Sequence, residues 1–382
     1  LDNHAQRLRI LLSSVSFETD MDTLSKARLL SEAGSYDSCG PKTCQVDIQE
    51  GLGGIYHAKA EHQTCRMFKT LMSNACTHDC KYCVNRTGCP KRPVTYEPDE
   101  LARLFMRLHR NHDVNGLFLS STVPGNPDDE VERMIEAVRT LRQKHGFSGY
   151  LHFKVLPGTS RHLIKEAARF ADRMSINVEA PSKQHMNELS TNKDYANDIL
   201  KRQRWIARHS LGAGQSTQMI VTSETTDKEL LNASKYQYEE HQLKRLYYSA
   251  FRPVRHTPME THEPTPNYRQ QHLYNVDFLV RRYGYSYKEF DTIYTEHDNL
   301  PRVDPKLALA KKTLTKPLDI NTAEKEELLR VPGIGPVTAN RLQHMKRNFK
   351  SWRQVQRAGV LLRRARPFLT IDGRRQAQLS EF

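Results

Sequence analysis

The segment Cys76-Thr77-His78-Asp79-Cys80-Lys81-Tyr82-Cys83 places three thiols within eight residues, with an aromatic side chain just before the last of them. The spacing is CxxxCxxC. It follows directly on an apolar run, residues 67–73, that reads as a strand. Three thiolates in one such loop can hold three irons of a 4Fe–4S cluster and leave the fourth open. A zinc ion would normally take four ligands in two separated pairs. His78 could supply a fourth ligand here, but so tight a loop would struggle to fold it and three cysteines around one ion. Unrelated buried thiols are the remaining reading.

Outward from the triplet, the chain alternates between short apolar runs and helical patterns. The runs at 67–73, 116–121, 150–155, 174–179, 217–222 and 243–249 read as six strands. Between them, Leu101, Leu104, Phe105 and Leu108 recur at helical spacing, as do Val131, Ile135 and Val138. Glu97-Pro98-Asp99 reads as a helix start, with proline in the first turn and acids at the positive end of the helix dipole. Strands alternating with helices imply βαβ units and a parallel sheet, either open or curled like a barrel. In both cases the active site belongs at the C-terminal ends of the strands.

Triplet, aromatic residue and six βα units together resemble the radical S-adenosylmethionine (SAM) superfamily. The resemblance implies an α/β fold: a partial (β/α)6 radical SAM barrel, here with an N-terminal extension and an all-α C-terminal domain. It implies a 4Fe–4S cluster on Cys76, Cys80 and Cys83, with S-adenosylmethionine bound to the open iron. A low-potential donor such as flavodoxin or ferredoxin would supply the electron that yields a 5′-deoxyadenosyl radical. Ser120-Ser121-Thr122 stands where family members often carry a Gly-Gly-Glu-like segment that meets the methionine amino group; the glutamate is missing. Tyr82 would contact the adenine through its neighbouring backbone, and the run 215–222, which includes Ile220, would flank it. Glu179 could hold the ribose hydroxyls. Lys154 could pair with the methionine carboxylate or a substrate phosphate. Ordinary strand-end carboxylate and surface lysine are the plain readings of those two.

The chain has 382 residues, 37% of them hydrophobic, enough for a sizeable core. No apolar run approaches the roughly 20 residues a membrane helix needs. Nothing at the start reads as a secretory signal, so a cytoplasmic protein with no membrane partner is expected. The four other cysteines, Cys39, Cys44, Cys65 and Cys89, suffice in number for a second metal site, but their separations are irregular and free thiols are the expectation. The domain map reads as an extension over 1–62, the barrel over 63–255, a linker and helical wrap over 256–316, and a tail over 317–382.

Charge singles out that tail. The net charge is +14, and residues 305–382 carry 17 Lys or Arg against 6 Asp or Glu. Such a block suits a polyanion, with a merely solvated surface as the plain alternative. Asn321 or Thr322 suits a helix N-cap, and Pro332 ends that helix. Val331-Pro332-Gly333-Ile334-Gly335-Pro336 then permits a tight hairpin. The segment closely resembles the helix-hairpin-helix motif, whose backbone N–H groups bind a phosphate at a helix N-terminus. The resemblance carries nucleic-acid binding onto Gly333, Ile334 and Gly335, with Arg341 and Lys346 alongside. A second unit over 352–368 lacks the second glycine and is expected to pack on the first.

Barrel followed by hairpin resembles a subgroup described as DNA modification or repair proteins. The expected function is therefore a radical SAM enzyme acting on nucleic acid, DNA ahead of RNA. An RNA-modifying (tRNA) radical enzyme and a non-catalytic nucleic-acid-binding scaffold are the alternatives.

Overall fold

Seven strands hydrogen-bond in sequence order into one sheet, β1 to β7. The structure, a computed structural model, describes residues 21–35, 54–59, 64–345 and 348–374. It divides into two units: Leu1–Thr225 with Ala233–Thr265, and Thr226–Asn232 with Pro266–Phe382.

In the first unit, β2 (Thr64–Leu71), β3 (Gly116–Ser120), β4 (Tyr150–Lys154), β5 (Arg173–Ser175), β6 (Gly214–Val221) and β7 (Leu243–Ala250) are all parallel. Sequential parallel order with a helical crossover at each step curls the sheet into a half-barrel. All five residues of β3 are buried, which is why that run is continuously apolar and does not alternate. A seventh strand, β1 (Ile55–Lys59), pairs antiparallel with β2. It lies inside the stretch read from sequence as an N-terminal extension; its Ile-Tyr-His-Ala-Lys pattern is too short to stand out. The helix α1 (Thr23–Ala33) starts at Asp22, whose carboxylate accepts from the Leu24 and Ser25 N–H groups.

The crossover helices begin as the sequence indicates. In α2 (Pro98–Arg110), proline opens the first turn and Glu97 and Glu100 form a capping box, while Leu101, Leu104, Phe105 and Leu108 are buried. In α3 (Pro127–Arg139), Asn126 caps the first turn and Val131, Ile135 and Val138 face the core. The short helices α4 (Arg161–Ala167), α5 (Lys183–Leu189) and α6 (Lys201–Ile206) follow, then α7 (Asp227–His241). The fifth strand is shorter than its sequence run: β5 stops at Ser175, and the chain rejoins β6 only by a bridge from Glu179 to Met219. Beyond β7, the proline-rich residues 252–265 carry no helix or strand. Thr265 N–H returns to the Phe251 carbonyl, and Met259 N–H reaches the Lys81 carbonyl.

The second unit contains α8 (Asn267–Tyr283), α9 (Pro305–Thr313), α10 (Lys325–Arg330), α11 (Pro336–His344), α12 (Trp352–Arg357) and α13 (Leu362–Ala365). Two-residue strands β8 (Leu318–Asp319) and β9 (Leu369–Thr370) pair in parallel and flank the segment from α10 to α13. Its own core includes Leu328, Val331, Ile334, Leu342, Val355, Val360 and Phe368. The N-cap of α10 is Glu324, boxed with Glu327, and not Asn321 or Thr322. The Asn321 amide instead bonds the Phe349 backbone N–H and carbonyl, at 2.9 and 3.1 Å. Among the described residues no helix is long and apolar enough to cross a membrane.

Candidate functional site

The three cysteines sit on an irregular loop between the end of β2 and α2, at the C-terminal edge of the sheet. Buried Asn74 closes the loop's ends: its carbonyl accepts from Val94 N–H at 2.7 Å and its amide donates to Arg92 O at 3.1 Å. Ser73 and Thr95 hydroxyls add a bond at 2.8 Å. Such side-chain staples replace the ladder that a loop cannot form. Cys80 is buried and Cys76 and Cys83 are half-buried. Burial pushes the Cys83 thiol up to about 12, with neighbouring Cys80 and Cys76 adding to the effect against the Asn85 N–H and Lys193. The three thiols lie on one loop, near enough for Cys80 and Cys76 to act on Cys83. Among the described residues no three metal-ligating side chains converge on a single-ion position.

A second loop, residues 190–194, latches onto this one. Asp79 accepts from the Ser190 hydroxyl at 2.6 Å and the Thr191 N–H at 3.1 Å, and Lys81 N–H donates to Leu189 O at 2.9 Å. Burial opposes ionisation of Asp79, but these bonds outweigh it and hold the carboxyl down at about 2. The latch brings in Lys193, whose charge interacts with Cys80 and Glu179. Burial works against that charge; Cys80 and Glu179 more than offset it and raise the Lys193 pKa. Sequence reading missed Lys193, Asp79 and Asn74. No motif marks them, because their partners are distant in the chain, 18 and 20 residues for Asn74 and 111 and 112 for Asp79.

The strand ends bring some of the expected residues to the thiols. Ser120 ends β3 with a buried hydroxyl that has no partner. Ser121 and Thr122 differ: their hydroxyls are engaged by the scaffold. Ser121 Oγ accepts from Ser73 N–H at 3.0 Å and donates to Glu130 at 2.5 Å, while Thr122 Oγ1 donates to Ser73 O at 3.0 Å. Glu179 stands at φ 61°, a left-handed conformation costly for a non-glycine residue. Two backbone bonds to β6, Glu179 N–H to Gln218 O and Ile220 N–H to Glu179 O, impose it. The Tyr82 hydroxyl bonds the Glu179 carboxylate, and Glu179 Oε2 is buried without a partner. Tyr82 thus enters through its side chain, not only through its backbone. Burial, then the Glu179 charge, raises its hydroxyl pKa well above the ordinary value. Ile220 is buried on β6, and Lys154 ends β4 in register with Ser175. Cys65 opens β2, at the end of that strand far from the triplet, packed on Met67 at 3.3 Å. Cys89 is buried within the cysteine loop, and Cys39 and Cys44 lie outside the described residues.

In the second unit, α10 and α11 are joined by a sharp turn over 331–335. Gly333 has φ +89°, and a Cβ there would meet Leu361 O at 2.7 Å, so this glycine serves the turn and the packing of the second helix pair. Gly335 is the N-cap of α11 with φ −107°, and a Cβ would meet only Tyr283 Oη at 3.2 Å. The Ile334 N–H is taken by Val331 O, and Ala339 N–H to Gly335 O is the first bond of α11. The amides between them have no acceptor within the helix. Arg341 donates to Ala358 O at 3.1 Å, across to the second pair. Lys346 lies outside the described residues. Arg353, Arg357, Arg363 and Arg364 are exposed.

Residues 70–236 match the family model described as the Radical SAM superfamily. No curated protein matches the chain. Among solved structures, the chain is similar to HydG, a maturase of the [FeFe]-hydrogenase, at 12% identity over 56% of this chain and 49% of that one, with a TM-score of 0.46. It is similar to methylornithine synthase at 10% identity over 72% of each chain, with a TM-score of 0.46. It is also similar to Streptococcus suis SuiB bound to S-adenosylmethionine, at 10% identity over 56% and 48%, with a TM-score of 0.44. The chain spans about half the length of HydG and SuiB.

The residues fit the cofactors of that family, a 4Fe–4S cluster and S-adenosylmethionine. Three thiolates on one loop are the soft donor set that iron–sulfur clusters take. The buried Ser120 hydroxyl at the C-terminal end of β3 and the buried Glu179 Oε2 beyond β5 have no protein partner, and both lie at the edge of the sheet that carries the thiols. When bound, the pair supplies reductive cleavage of a sulfonium and, through it, hydrogen abstraction. The chain itself fixes the Glu179 backbone against β6 and latches residues 189–191 and Met259 onto the cysteine loop.

Proposed function

We propose that this chain, with its radical SAM domain at residues 70–236, acts on nucleic acid, DNA ahead of RNA, as a modification or repair enzyme. The observation that carries the reading is the tail. An excess of 11 positive charges over residues 305–382 accompanies a helix N-terminus at Gly335 whose leading amides lack internal acceptors. Helix-start amides in a cation-rich segment suit a phosphate backbone and carry no base readout. Exposed Arg353, Arg357, Arg363 and Arg364 extend that footprint.

In this reading residues 317–382 are a helix-hairpin-helix nucleic-acid-binding domain, 63–255 the catalytic barrel, 256–316 the linker and wrap, and 1–62 an extension. Glu179 with Tyr82 holds the ribose diol, Ser120 the methionyl end, and Ile220 the adenine face; Lys154 serves a carboxylate or phosphate. A flavodoxin or ferredoxin supplies electrons in the cytoplasm. One nucleotide leaves the stack to reach the barrel, since hydrogen abstraction needs van der Waals approach.

The test is a titration of wild type, a truncation after Thr315, and Gly335→Glu against duplex DNA, single strands and structured RNA at two salt concentrations. Truncation should abolish binding of any sequence while S-adenosylmethionine binding persists, and Gly335→Glu should do much of the same. Stronger binding of structured RNA than of DNA would move the reading to an RNA-modifying enzyme. Equal binding by all three proteins would remove the tail's role. Formation of 5′-deoxyadenosine with and without nucleic acid separates an enzyme from a scaffold.

A further inference from the structure

The turn that closes the cysteine triplet is held from inside and from outside. Within it, Arg86 N–H donates to Cys83 O at 3.2 Å and Asn85 N–H donates to the Cys83 sulfur at 3.3 Å. From outside, the buried Asn85 side-chain amide donates to Ala33 O at 3.1 Å, 52 residues earlier in the chain. Ala33 is the last residue of α1, whose final carbonyls find no donor inside the helix, and Asn85 supplies one. The Lys91 ammonium donates to the Asn85 carbonyl and to Arg86 O, the latter at 2.9 Å. At its other end α1 is tied to α2: Thr23 Oγ1 and Lys26 Nζ donate to the Glu100 carboxylate at 3.1 and 2.9 Å. The anchor of Asn85 is therefore itself fixed within the first unit.

We propose that Asn85 is a positioning residue: anchored on the end of α1, it keeps its own N–H on the Cys83 sulfur and so raises the reduction potential of the cluster. Adding an electron makes the cluster more negative, so an N–H dipole aimed at a ligand sulfur stabilises the reduced form more than the oxidised one. Asn85 is third in the four-residue turn 83–86 and does not take a positive φ. Flipping the Val84–Asn85 peptide would need a positive φ there, which asparagine tolerates, and would turn this N–H away from the sulfur. The bond to Ala33 O opposes that flip. Because Asn85 is buried, releasing its amide leaves donor and acceptor unpaired, a cost that a surface asparagine would not meet. The inference rests on the cofactor pair of the radical SAM domain and is independent of the nucleic-acid target.

The experiment compares wild type with Asn85→Gly, Asn85→Leu and Asn85→His after anaerobic reconstitution. Iron content, an EPR-monitored redox titration and the coupling of exchangeable deuterons to the reduced cluster are read for each. All four proteins should take up about four irons. The midpoint should shift to lower potential in Asn85→Gly, which loses the anchor and frees φ, and less in Asn85→Leu, which loses the anchor alone. Asn85→His, with a ring N–H to offer Ala33 O, should return towards wild type. The deuteron coupling should weaken in step with the midpoint. An unshifted or raised midpoint in both Asn85→Gly and Asn85→Leu overturns the proposal. A shift in Asn85→Gly with none in Asn85→Leu also overturns it, because the turn would then aim the N–H without α1. So does a shifted midpoint at wild-type deuteron coupling, which would trace the change to another group. If Asn85→Gly and Asn85→Leu fail to load iron while Asn85→His loads it, Asn85 is a folding requirement and the proposal fails. A wild type that takes up no cluster sinks the radical SAM reading as well, whereas loaded variants without a shift sink this inference alone.

Discussion

The cysteine loop of the first unit and the 331–335 turn of the second both hold backbone in unusual shapes, and they are built in opposite ways. The turn is local. Pro332 blocks α10 from continuing, Gly333 takes φ +89°, and Pro336 sets the first residue of α11, all within five residues. The cysteine loop is not local. Its ends are stapled by Asn74 across 20 residues and its middle by Asp79 to Ser190 and Thr191, more than 110 residues away. A turn made by its own residues can be moved by one glycine. A loop made by distant side chains depends on which partner fails.

The largest effect should come from the thiols themselves. Replacing Cys76, Cys80 and Cys83 together with alanine should remove all reconstituted iron and the charge-transfer absorbance, while far-ultraviolet circular dichroism stays that of the wild type. Full iron in that variant would break the assignment of the loop as the metal site. Next is Asn74→Ala, which touches no metal. It leaves the Val94 N–H and Arg92 carbonyl without their partner in a buried place, a cost of about 3 kcal/mol in the first unit. Denaturant unfolding should show that loss, and iron uptake should fall although all three cysteines remain. Wild-type iron uptake with wild-type stability would show that the loop does not depend on its staple.

Legibility in the sequence followed the same division. The six parallel strands and the crossover helices were readable because apolar periodicity and proline-acid starts are local signals. Strand β1 was not, since its identity depends on pairing with β2. The triplet was readable as chemistry, but Lys193, Asp79 and Asn74 were not, being single polar residues whose roles exist only through distant contacts. Ser121 and Thr122 illustrate the converse. Their position in the chain suggested ligand contact, while the bonds of their hydroxyls to Ser73 and Glu130 were not legible there. Glu179 was read as a strand end, whereas β5 stops at Ser175 and Glu179 holds a strained φ that bonding to β6 imposes.

The two glycines of the turn sharpen the comparison within the second unit. Gly333→Ala puts a Cβ 2.7 Å from Leu361 O at a positive φ. It should destabilise that unit by about 2 kcal/mol, from backbone strain and lost packing together. Gly335→Ala has ordinary φ and only Tyr283 Oη at 3.2 Å to displace, so it should unfold within about 0.5 kcal/mol of wild type. Equal losses in urea unfolding would mean that the turn is not set by its own residues.

The smallest effect concerns Lys306, which supports the turn from α9. Its ammonium is buried, donates to Ile334 O at 2.6 Å and lies 4.5 Å from the Tyr283 ring centroid. Burial lowers its pKa from 10.5 to about 7; Asp304 works against the shift and Arg330 with it. Between those two values the unfolded chain binds more protons at this group than the folded one. Stability therefore rises with pH from about 7 towards 10, and below 7 the full cost of the buried charge is present. Asp304, the carbonyl and the ring all favour the charged form, so the rise should be on the order of 1 kcal/mol. Unfolding of wild type and Lys306→Met at pH 6.5 and 9.5 isolates it. The wild type should gain on the variant at the higher pH, because the methionine carries no titrating group. A difference between the two proteins that stays constant with pH would place a fully charged lysine beneath Ile334 throughout, and the turn would then rest on a permanent buried cation.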